Sequence, residues 1–282
     1  MEPTPIITSP LNAEDFAALT RAKEELESPS LTMKLASVVG APIEKLMGRL
    51  PSSAQDKVDE ATQLALKKCL RVALRTIGKS APSDSLLAPP PDKPSNLMHK
   101  LAVSATGVAS GAFGMFSLPV ELPVTTTLMF RSICDIARSE GEDVHRVETQ
   151  LQCMMVLGMG SANKSDDNAD LGYFIVRGAL AQSVSRATSE IATKGLSSHG
   201  STVLLKFVQT IASCFSVQVS EQVAAKSIPA IGALLGAMVN TVFMDHFQQM
   251  AHGHFTVRRL ERRYGTAVVE RAYQTIEVIG GR

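Results

Sequence analysis

The first group of residues with the chemistry for a functional site lies in a polar segment that follows a long uncharged stretch. On a helix, this segment places a carboxylate, hydroxyl groups and a charge pair on or beside one face. The residues concerned are Glu121, Thr125, Thr126, Arg131, Ser132 and Asp135. Buried charge is costly unless it is paired, so we expect these groups to contact each other, another helix or a ligand. Two interpretations stay open: an internal network that fixes helix register, or a functional site.

A second group of ionisable residues lies near the C-terminal end of the chain. It consists of Asp245, His246, His252 and His254, followed by the pairs Arg258-Arg259 and Arg262-Arg263. His254 falls on an apolar helical stripe, where a lone histidine is usually a hydrogen-bonded core residue, and the alternative is a role in proton transfer. The arginines are either a solvated, partly paired face or a basic patch for anionic lipid. The histidine spacing matches no zinc set, so we predict no metal site.

Cofactor motifs are incomplete. The segment Gly158–Lys164 imitates a phosphate-binding loop but lacks the G-x-x-x-x-G-K-[ST] spacing. The acidic run that starts at Asp166 resembles a calcium loop, but Leu171 stands where that loop requires glycine. We therefore predict no cofactor, and no catalytic motif defines a reaction.

Composition narrows the class of protein. The chain has 28 Lys+Arg against 27 Asp+Glu, a net charge of +1 and a pI near 7.7, so nothing favours nucleic-acid binding. With 45% hydrophobic residues and a mean hydropathy of +0.10, the chain can form a sizeable core. The four cysteines form no C-x-x-C pair and the N-terminus lacks secretory features. We expect reduced thiols and a cytoplasmic location, with membrane association left open.

The hydrophobic pattern is helical throughout, and no alternating run bounded by hairpin turns indicates a strand. Apart from the uncharged and polar segments, helices are predicted at 12–27, 30–50, 52–78, 144–158, 171–193, 203–219, 255–264 and 268–278. We predict an all-α fold, a single multi-helix bundle with glycine-rich central helices. Residues 1–29 form a leader and helix, and residues 30–278 form the helical domain, with a Pro-rich loop at 79–96 inside it.

Two long segments carry no charged residue at all: Leu101–Val120 and Ser227–Met244. Glycines four apart occur in both, as close helix pairs require. Three interpretations of these segments stay open: buried central helices of a bundle, helices that associate reversibly with a membrane, and true membrane spans. We favour buried helices at 97–116 and 226–250, with 119–140 beside them and the N-terminal helices packed outside.

Several stretches together resemble the EcsC family. They are Gly111-Ala-Phe-Gly114, Pro119-x-Glu-Leu-Pro123-x-Thr-Thr, Arg131-Ser-Ile-x-x-Ile-Ala137, Gly141-Glu-Asp143, Tyr173-x-x-x-Arg177, Pro229-x-x-Gly-Ala-x-x-Gly-Ala237 with Asn240, Phe243 and His246, and Ala251-x-x-His254-Phe-x-x-Arg-Arg-Leu-Glu261. The likeness covers about residues 30–275. It implies a helical domain, mostly bacterial and without an established molecular activity. The family's name also implies an association with an ABC-transporter operon.

Three functions are compatible with these patterns. The leading hypothesis is a non-enzymatic protein at the cytoplasmic membrane face that binds lipid, a hydrophobic ligand or a membrane-protein partner such as a transporter. The alternatives are a cytosolic scaffold and a hydrolase-like enzyme, with Glu121 or His254 as base and Arg131 as anion partner, which requires these groups to converge. The catalytic candidates are Glu121, Arg131, Asp135 and His254. The binding candidates are Thr125, Thr126, Asn240, His246, Arg258 and Arg259. The sequence predicts no oligomeric state.

Overall fold

A computed structural model describes residues 11–27, 29–76, 118–159, 169–194, 202–227 and 233–276. The helices in these ranges are α1 Ala13–Leu26, α2 Leu31–Val39, α3 Ile43–Met47, α4 Ser52–Thr76, α5 Leu118–Ser139, α6 Val147–Met159, α7 Ala169–Lys194, α8 Thr202–Lys226, α9 Ala233–Tyr264 and α10 Thr266–Thr275. No strand occurs among the described residues, so the all-α prediction is confirmed. The predicted helix 97–116 and the Pro-rich loop 79–96 lie outside these ranges.

The chain between residues 30 and 50 forms two helices, and the prediction of one continuous helix there is wrong. Gly40 ends α2 with a φ of +68°, a left-handed conformation that glycine adopts without strain. Pro42 then precedes α3 and has no N–H to continue the α2 ladder. Ser30 caps the start of α2 by accepting a hydrogen bond from the Met33 amide.

The long helix α9 contains 32 residues, about 48 Å of helix. The prediction of a central helix at 226–250 and a separate helix at 255–264 is therefore wrong at both ends. Lys226 still belongs to α8, and α9 continues through Gly253 without a break. A Cβ at Gly253 would lie 2.9 Å from the Ala22 carbonyl oxygen and 2.6 Å from Leu26 Cγ. Gly253 therefore permits close packing of α1 against α9.

The two helices that carry the predicted polar groups run parallel to each other. Glu121 of α5 contacts Asn240 of α9. Ser132, which comes later in α5, contacts Gln248, which comes later in α9. The helix α8 runs antiparallel to α9, because Gln222 near its end also contacts Asn240. The N-terminal ends of α5 and α9 and the C-terminal end of α8 therefore lie at the same end of the bundle.

The helix α6 lies inside the bundle, with every residue from Thr149 to Met159 buried. It packs against α5, α7, α8 and α9. A helix that is apolar on all sides must be enclosed on all sides, and its sequence is rich in methionine rather than glycine. Beside it, the rings of Phe215, Phe243 and Phe247 pack at centroid distances of 5.1–6.1 Å.

The predicted division between residues 1–29 and 30–278 stays a prediction. The helix α1 belongs to the first part and packs directly against α9, with Leu19 and Ala22 fully buried. Asn12 caps α1 by accepting a hydrogen bond from the Asp15 amide at 2.7 Å. Lys23 is also fully buried and donates to the Tyr273 and Ile276 carbonyls at the end of α10. The N-terminal helix thus joins the central helix to the last one.

Candidate functional site

The first polar centre, which we call the Glu121 centre, joins the starts of α5 and α9 to the end of α8. Glu121 Oε1 accepts hydrogen bonds from Lys226 Nζ at 2.6 Å and from Asn240 Nδ2 at 3.1 Å. Asn240 Oδ1 in turn accepts from Gln222 Nε2 at 2.8 Å. The predicted candidates Glu121 and Asn240 therefore meet, across a separation of 119 residues.

Burial determines the electrostatics of the Glu121 centre. The Lys226 and Glu121 side chains are mostly buried, and Asn240 is fully buried. Burial lowers the pKa of Lys226, and the neighbouring Glu121 carboxylate opposes that shift. Because the pair is neutral as a whole and its carboxylate accepts two donors, it can hold three helices in one register.

Other residues of the predicted stripe do not join this centre. Thr125 is buried and donates to the Glu121 carbonyl oxygen at 3.0 Å, and Thr126 Oγ1 is buried with no hydrogen-bond partner among the described residues. Arg131 is exposed, and Asp135 lies 3.7 Å from Arg138. Four-residue spacing permits the expected charge pair between Arg131 and Asp135, but the arginine that the structure places near the Asp135 carboxylate is Arg138, one turn later.

A second polar centre, the Tyr173–His254 centre, joins α7 to α9. The Tyr173 hydroxyl lies 2.9 Å from His254 Nδ1. Arg177, one turn after Tyr173, donates two hydrogen bonds to the Glu261 carboxylate at 2.8 and 2.5 Å. The Arg177 guanidinium also lies 5.9 Å from the centre of the Tyr173 ring. The planar two-bond pairing fixes the orientation of α7 on α9.

The Tyr173 and His254 side chains of this centre are buried. Burial lowers the pKa of His254 well below its usual range, and the nearby Arg177 and Arg258 charges lower it further. Burial raises the pKa of Tyr173 to about 12. A general base must reach the proton that it abstracts, but His254 is fully enclosed. This geometry suits a structural hydrogen bond rather than proton transfer with a substrate.

The two centres are far apart. Asn240, which contacts Glu121, and His254 are 14 residues apart on the continuous helix α9, about 21 Å of helix. The hydrolase hypothesis requires Glu121, Arg131 and His254 to converge. They do not, because the side chains of one long helix reach different neighbours at each turn.

The arginines at the end of α9 pair with carboxylates, in agreement with a partly paired face, and the alternative of a basic patch that included Arg258 and Arg259 is not an open positive surface. The partners lie on α1, in the α5–α6 connection and in the first turn of α6. The pairs are Arg258 with Glu142 at 2.7 Å and Glu148 at 3.4 Å, Arg259 with Glu140 at 2.7 Å and Asp15 at 3.5 Å, Arg262 with Glu142, and Arg263 with Asp15 at 2.8 Å. We call this group the arginine cluster.

Two carboxylates of the arginine cluster, Asp15 and Glu142, have a lowered pKa. A hydrogen bond from Tyr264 lowers the pKa of Asp15, and Arg263 and Arg259 add to that effect. Burial would raise the pKa of Glu142, but hydrogen bonds and charges from Arg258 and Arg262 lower it overall. The positive charges predicted from the sequence are therefore balanced by acids that lie far away along the chain.

The remaining histidines take different positions on α9. His246 is buried, with its ring 5.4 Å from that of Phe247. His252 lies at the surface, where Nδ1 is 2.6 Å from Glu25 of α1 and Nε2 is 3.5 Å from Glu140. His252 thus links α1, α9 and the α5–α6 connection.

We expect His252→Gln to lower stability at acidic pH and to have less effect as the pH rises. The hydrogen bond to Glu25 raises the pKa of His252 above its usual value of about 6.5, and Glu140 adds to this, while burial and Arg259 oppose it. A raised folded-state pKa contributes stability below the unfolded pKa, and this is lost as the pH passes the folded pKa. Melting temperatures of both proteins between about pH 5.5 and 9 check this. A difference that is constant, or that grows with pH, contradicts it.

Sequence reasoning named Tyr173, Arg177 and Glu261 only within the EcsC motifs and not as site candidates, and it missed Gln222 and Lys226 altogether. Helical spacing contained part of the signal. Tyr173 and Arg177 are four residues apart and His254 and Glu261 are seven apart, so each pair lies on one helix face. Lys226 directly precedes an uncharged segment, where a charge that needs a partner is expected.

Among the described residues, no group of three His, Cys, Asp or Glu side chains could hold a metal ion. An open depression of about 490 Å³ lies between α7 and the start of α8, lined by Ser185, Arg186, Ser189, Glu190, Thr193 and Val203, away from both polar centres. One described helix, α8, is long and apolar enough to cross a membrane, with half of its apolar window buried inside the protein.

Comparisons with known proteins agree with the motifs. Neither the curated proteins nor the solved structures include a match to this chain. The model of the EcsC protein family matches residues 13–260 of the 282. This range includes all four residues of the Glu121 centre and, apart from Glu261, the Tyr173–His254 centre. On that match, which covers most of its length, the chain belongs to the EcsC protein family.

Proposed function

We propose that this protein is a non-enzymatic membrane-face protein, which attaches to the lipid bilayer through an uncharged, apolar end of its helical bundle. The observation that carries the proposal is a group of four exposed apolar side chains at the starts of two parallel helices. They are Val120 and Val124 on α5 and Leu234 and Met238 on α9, exposed by 74%, 38%, 78% and 45%. We call this group the apolar end.

The position of the Glu121 centre explains why these four side chains lie at one end. Glu121 is adjacent to Val120 in sequence, and Asn240 follows Met238 by two residues. The hydrogen bond between Glu121 and Asn240 therefore places the first turns of α5 and α9 beside each other. Soluble proteins seldom expose apolar side chains in groups, and such groups mark contact surfaces.

The charge around the apolar end favours lipid as the occupant. Both helices begin within the uncharged segments Leu101–Val120 and Ser227–Met244. The two charges nearby, Glu121 and Lys226, neutralise each other in a mostly buried pair. An uncharged surface with four apolar side chains can enter the boundary between headgroups and acyl chains without removing a net charge from water.

The arginine cluster is a poor site for attachment to anionic lipid through positive charge. It lies at the far end of α9, because Met238 and Arg258 are separated by 20 residues, about 30 Å. Its arginines are paired with Asp15, Glu140, Glu142 and Glu148, so little positive charge remains for anionic lipid. We therefore expect attachment that depends on apolar contact and not on lipid charge. On the cysteine usage, we place it at the cytoplasmic face.

We expect the purified protein to float with vesicles of zwitterionic phospholipid, equally at low and high salt. Salt screens ionic attraction but leaves apolar burial intact. Changing all four residues of the apolar end to serine should lower the partition into vesicles by about 100-fold or more, since each buried apolar side chain contributes about 1 kcal/mol. Vesicle flotation followed by quantification of the bound fraction measures this.

The matched control changes four equally exposed apolar residues elsewhere: Met33, Leu64, Ile175 and Leu205, each to serine. This variant should bind vesicles like the unchanged protein. An unchanged protein that does not float refutes the proposal and favours a cytosolic scaffold. Binding that requires anionic lipid and is lost in high salt, or an equal loss in both variants, refutes the apolar end as the contact surface.

A further inference from the structure

Three of the four cysteines lie on neighbouring helices. Cys69 is on α4, Cys134 on α5 and Cys153 on α6. The helices α5 and α6 form an antiparallel hairpin, joined by the connection that contains Gly141. Cys134 precedes this connection and Cys153 follows it at a similar distance along the chain, so the hairpin brings the two residues to the same level.

Hydrogen bonding shows which way the Cys134 side chain points. Its sulfur donates to Gln150 Oε1 of α6 at 3.8 Å. Gln150 and Cys153 are three residues apart and therefore share one face of α6. Burial, and then a side-chain hydrogen bond with Cys134, raise the pKa of the Cys153 thiol. Together with the face shared by Gln150 and Cys153, this places the two free thiols next to each other across the hairpin.

The two thiols differ in their access to solvent. Cys134 is partly exposed, whereas Cys153 is fully buried. Burial raises the pKa of the Cys153 thiol well above its usual range. A dissolved oxidant can therefore reach Cys134 first, and Cys153 is placed to react only with its neighbour.

We propose that Cys134 and Cys153 form a reversible disulfide when the protein meets hydrogen peroxide. The Cys134 thiolate attacks one peroxide oxygen, the O–O bond breaks, and Cys134 becomes a sulfenic acid while hydroxide leaves. The Cys153 sulfur then attacks the Cys134 sulfur, the S–O bond breaks, and a second hydroxide leaves. The two thiol protons convert both hydroxides to water, so two thiols are oxidised and one peroxide is reduced.

Cys69 is the competing partner, and its surroundings disfavour it. Like Cys153, it is fully buried, and burial raises its pKa to about 12, so burial does not separate the two candidates; the Cys69 thiol, however, is hydrogen-bonded with Thr127. The Cys134 sulfur instead points to the α6 residue Gln150. Cys214 lies on α8 and supplies an internal control.

The disulfide between Cys134 and Cys153 would link α5 to α6. The connection between these two helices contains Glu140 and Glu142. These two carboxylates pair with Arg259 and Arg258 of α9. A covalent link at the base of this connection restricts its opening, so oxidation would strengthen the contact between the α5–α6 hairpin and α9. This effect is independent of whether the protein binds membranes.

The test uses the full-length reduced protein treated with hydrogen peroxide, digested without reducing agent and mapped by mass spectrometry. We expect one linked pair of peptides, containing Cys134 and Cys153, a mass loss of about 2 Da, and full reversal by dithiothreitol. In Cys153→Ala, we expect a sulfenic acid at Cys134 that dimedone captures. Cys214→Ala should give the same disulfide as the unchanged protein.

Three results would overturn the proposal, and the first two can be observed with the unchanged protein alone. One is a link between Cys134 and Cys69 or Cys214. Another is oxidation of Cys134 to sulfinic acid without any link to Cys153. The third is a Cys134–Cys153 link that appears only after thermal unfolding, which would show that the folded geometry does not bring the sulfurs together. Circular dichroism of each variant verifies that it is folded before oxidation.

Discussion

Replacing Arg177 with methionine lowers the free energy of unfolding by about 3–5 kcal/mol, the range seen when one partner of a buried ion pair is removed. Methionine keeps most of the apolar stem but leaves the Glu261 carboxylate, now without its two-bond partner, in a mostly buried site. It also removes the guanidinium from the Tyr173 ring. Urea unfolding followed by circular dichroism gives the change in free energy.

The double variant Arg177→Met/Glu261→Leu tests the cause of this loss. If the loss arises from an unpaired buried charge, removing Glu261 as well should recover much of the stability. The control Arg186→Met lies on the same helix at an exposed position and should change stability by no more than about 0.5 kcal/mol. Equal losses for Arg177→Met and Arg186→Met would mean that the pair does not hold α7 on α9.

Replacing Gly253 with alanine is expected to destabilise the protein by roughly 1–3 kcal/mol, as overpacking does. The new Cβ would lie 2.9 Å from the Ala22 carbonyl oxygen, which is backbone and can move only with α1. Alanine otherwise favours a helix over glycine by about 1 kcal/mol, so the clash must outweigh that gain. Amide hydrogen exchange should show faster exchange throughout α1.

Gly178→Ala is the matched control, since Gly178 also lies inside a helix but a Cβ there would meet nothing within 4 Å. This change should stabilise the protein by up to about 1 kcal/mol through helix propensity alone. The two substitutions are therefore expected to have opposite signs. A stabilising Gly253→Ala, with α1 exchange unchanged, would contradict the close packing of α1 on α9.

Helix positions were largely predictable because they depend on local chemistry. The cap at Asn12 and the stop at Gly265 mark helix ends wherever the helix packs. Two of the errors have one origin: glycine has two roles that sequence alone does not separate. At Gly40 it ends a helix with a positive φ, and at Gly253 it lies within a helix where another backbone comes close.

The candidate sites were predictable only in part. Residue types and helical spacing correctly indicated that Glu121 would need a partner. The partners themselves, Lys226 and Asn240, are more than 100 residues away in the chain. For the arginine cluster the sequence left a partly paired face and a basic patch open, and the structure agrees with the partly paired face, because the carboxylates of Asp15 and Glu142 come from distant segments.

The amino-acid sequence by itself determined that this chain is helical, that it belongs to the EcsC family, and which side chains share a helix face. These properties follow from interactions within a few turns, where periodicity fixes geometry. Only the tertiary structure decided that Glu121 and His254 belong to separate centres, that the arginines pair with carboxylates, and that four apolar side chains at the starts of α5 and α9 are exposed. Those outcomes depend on which faces of different helices pack together, and helix periodicity contains no information about that choice.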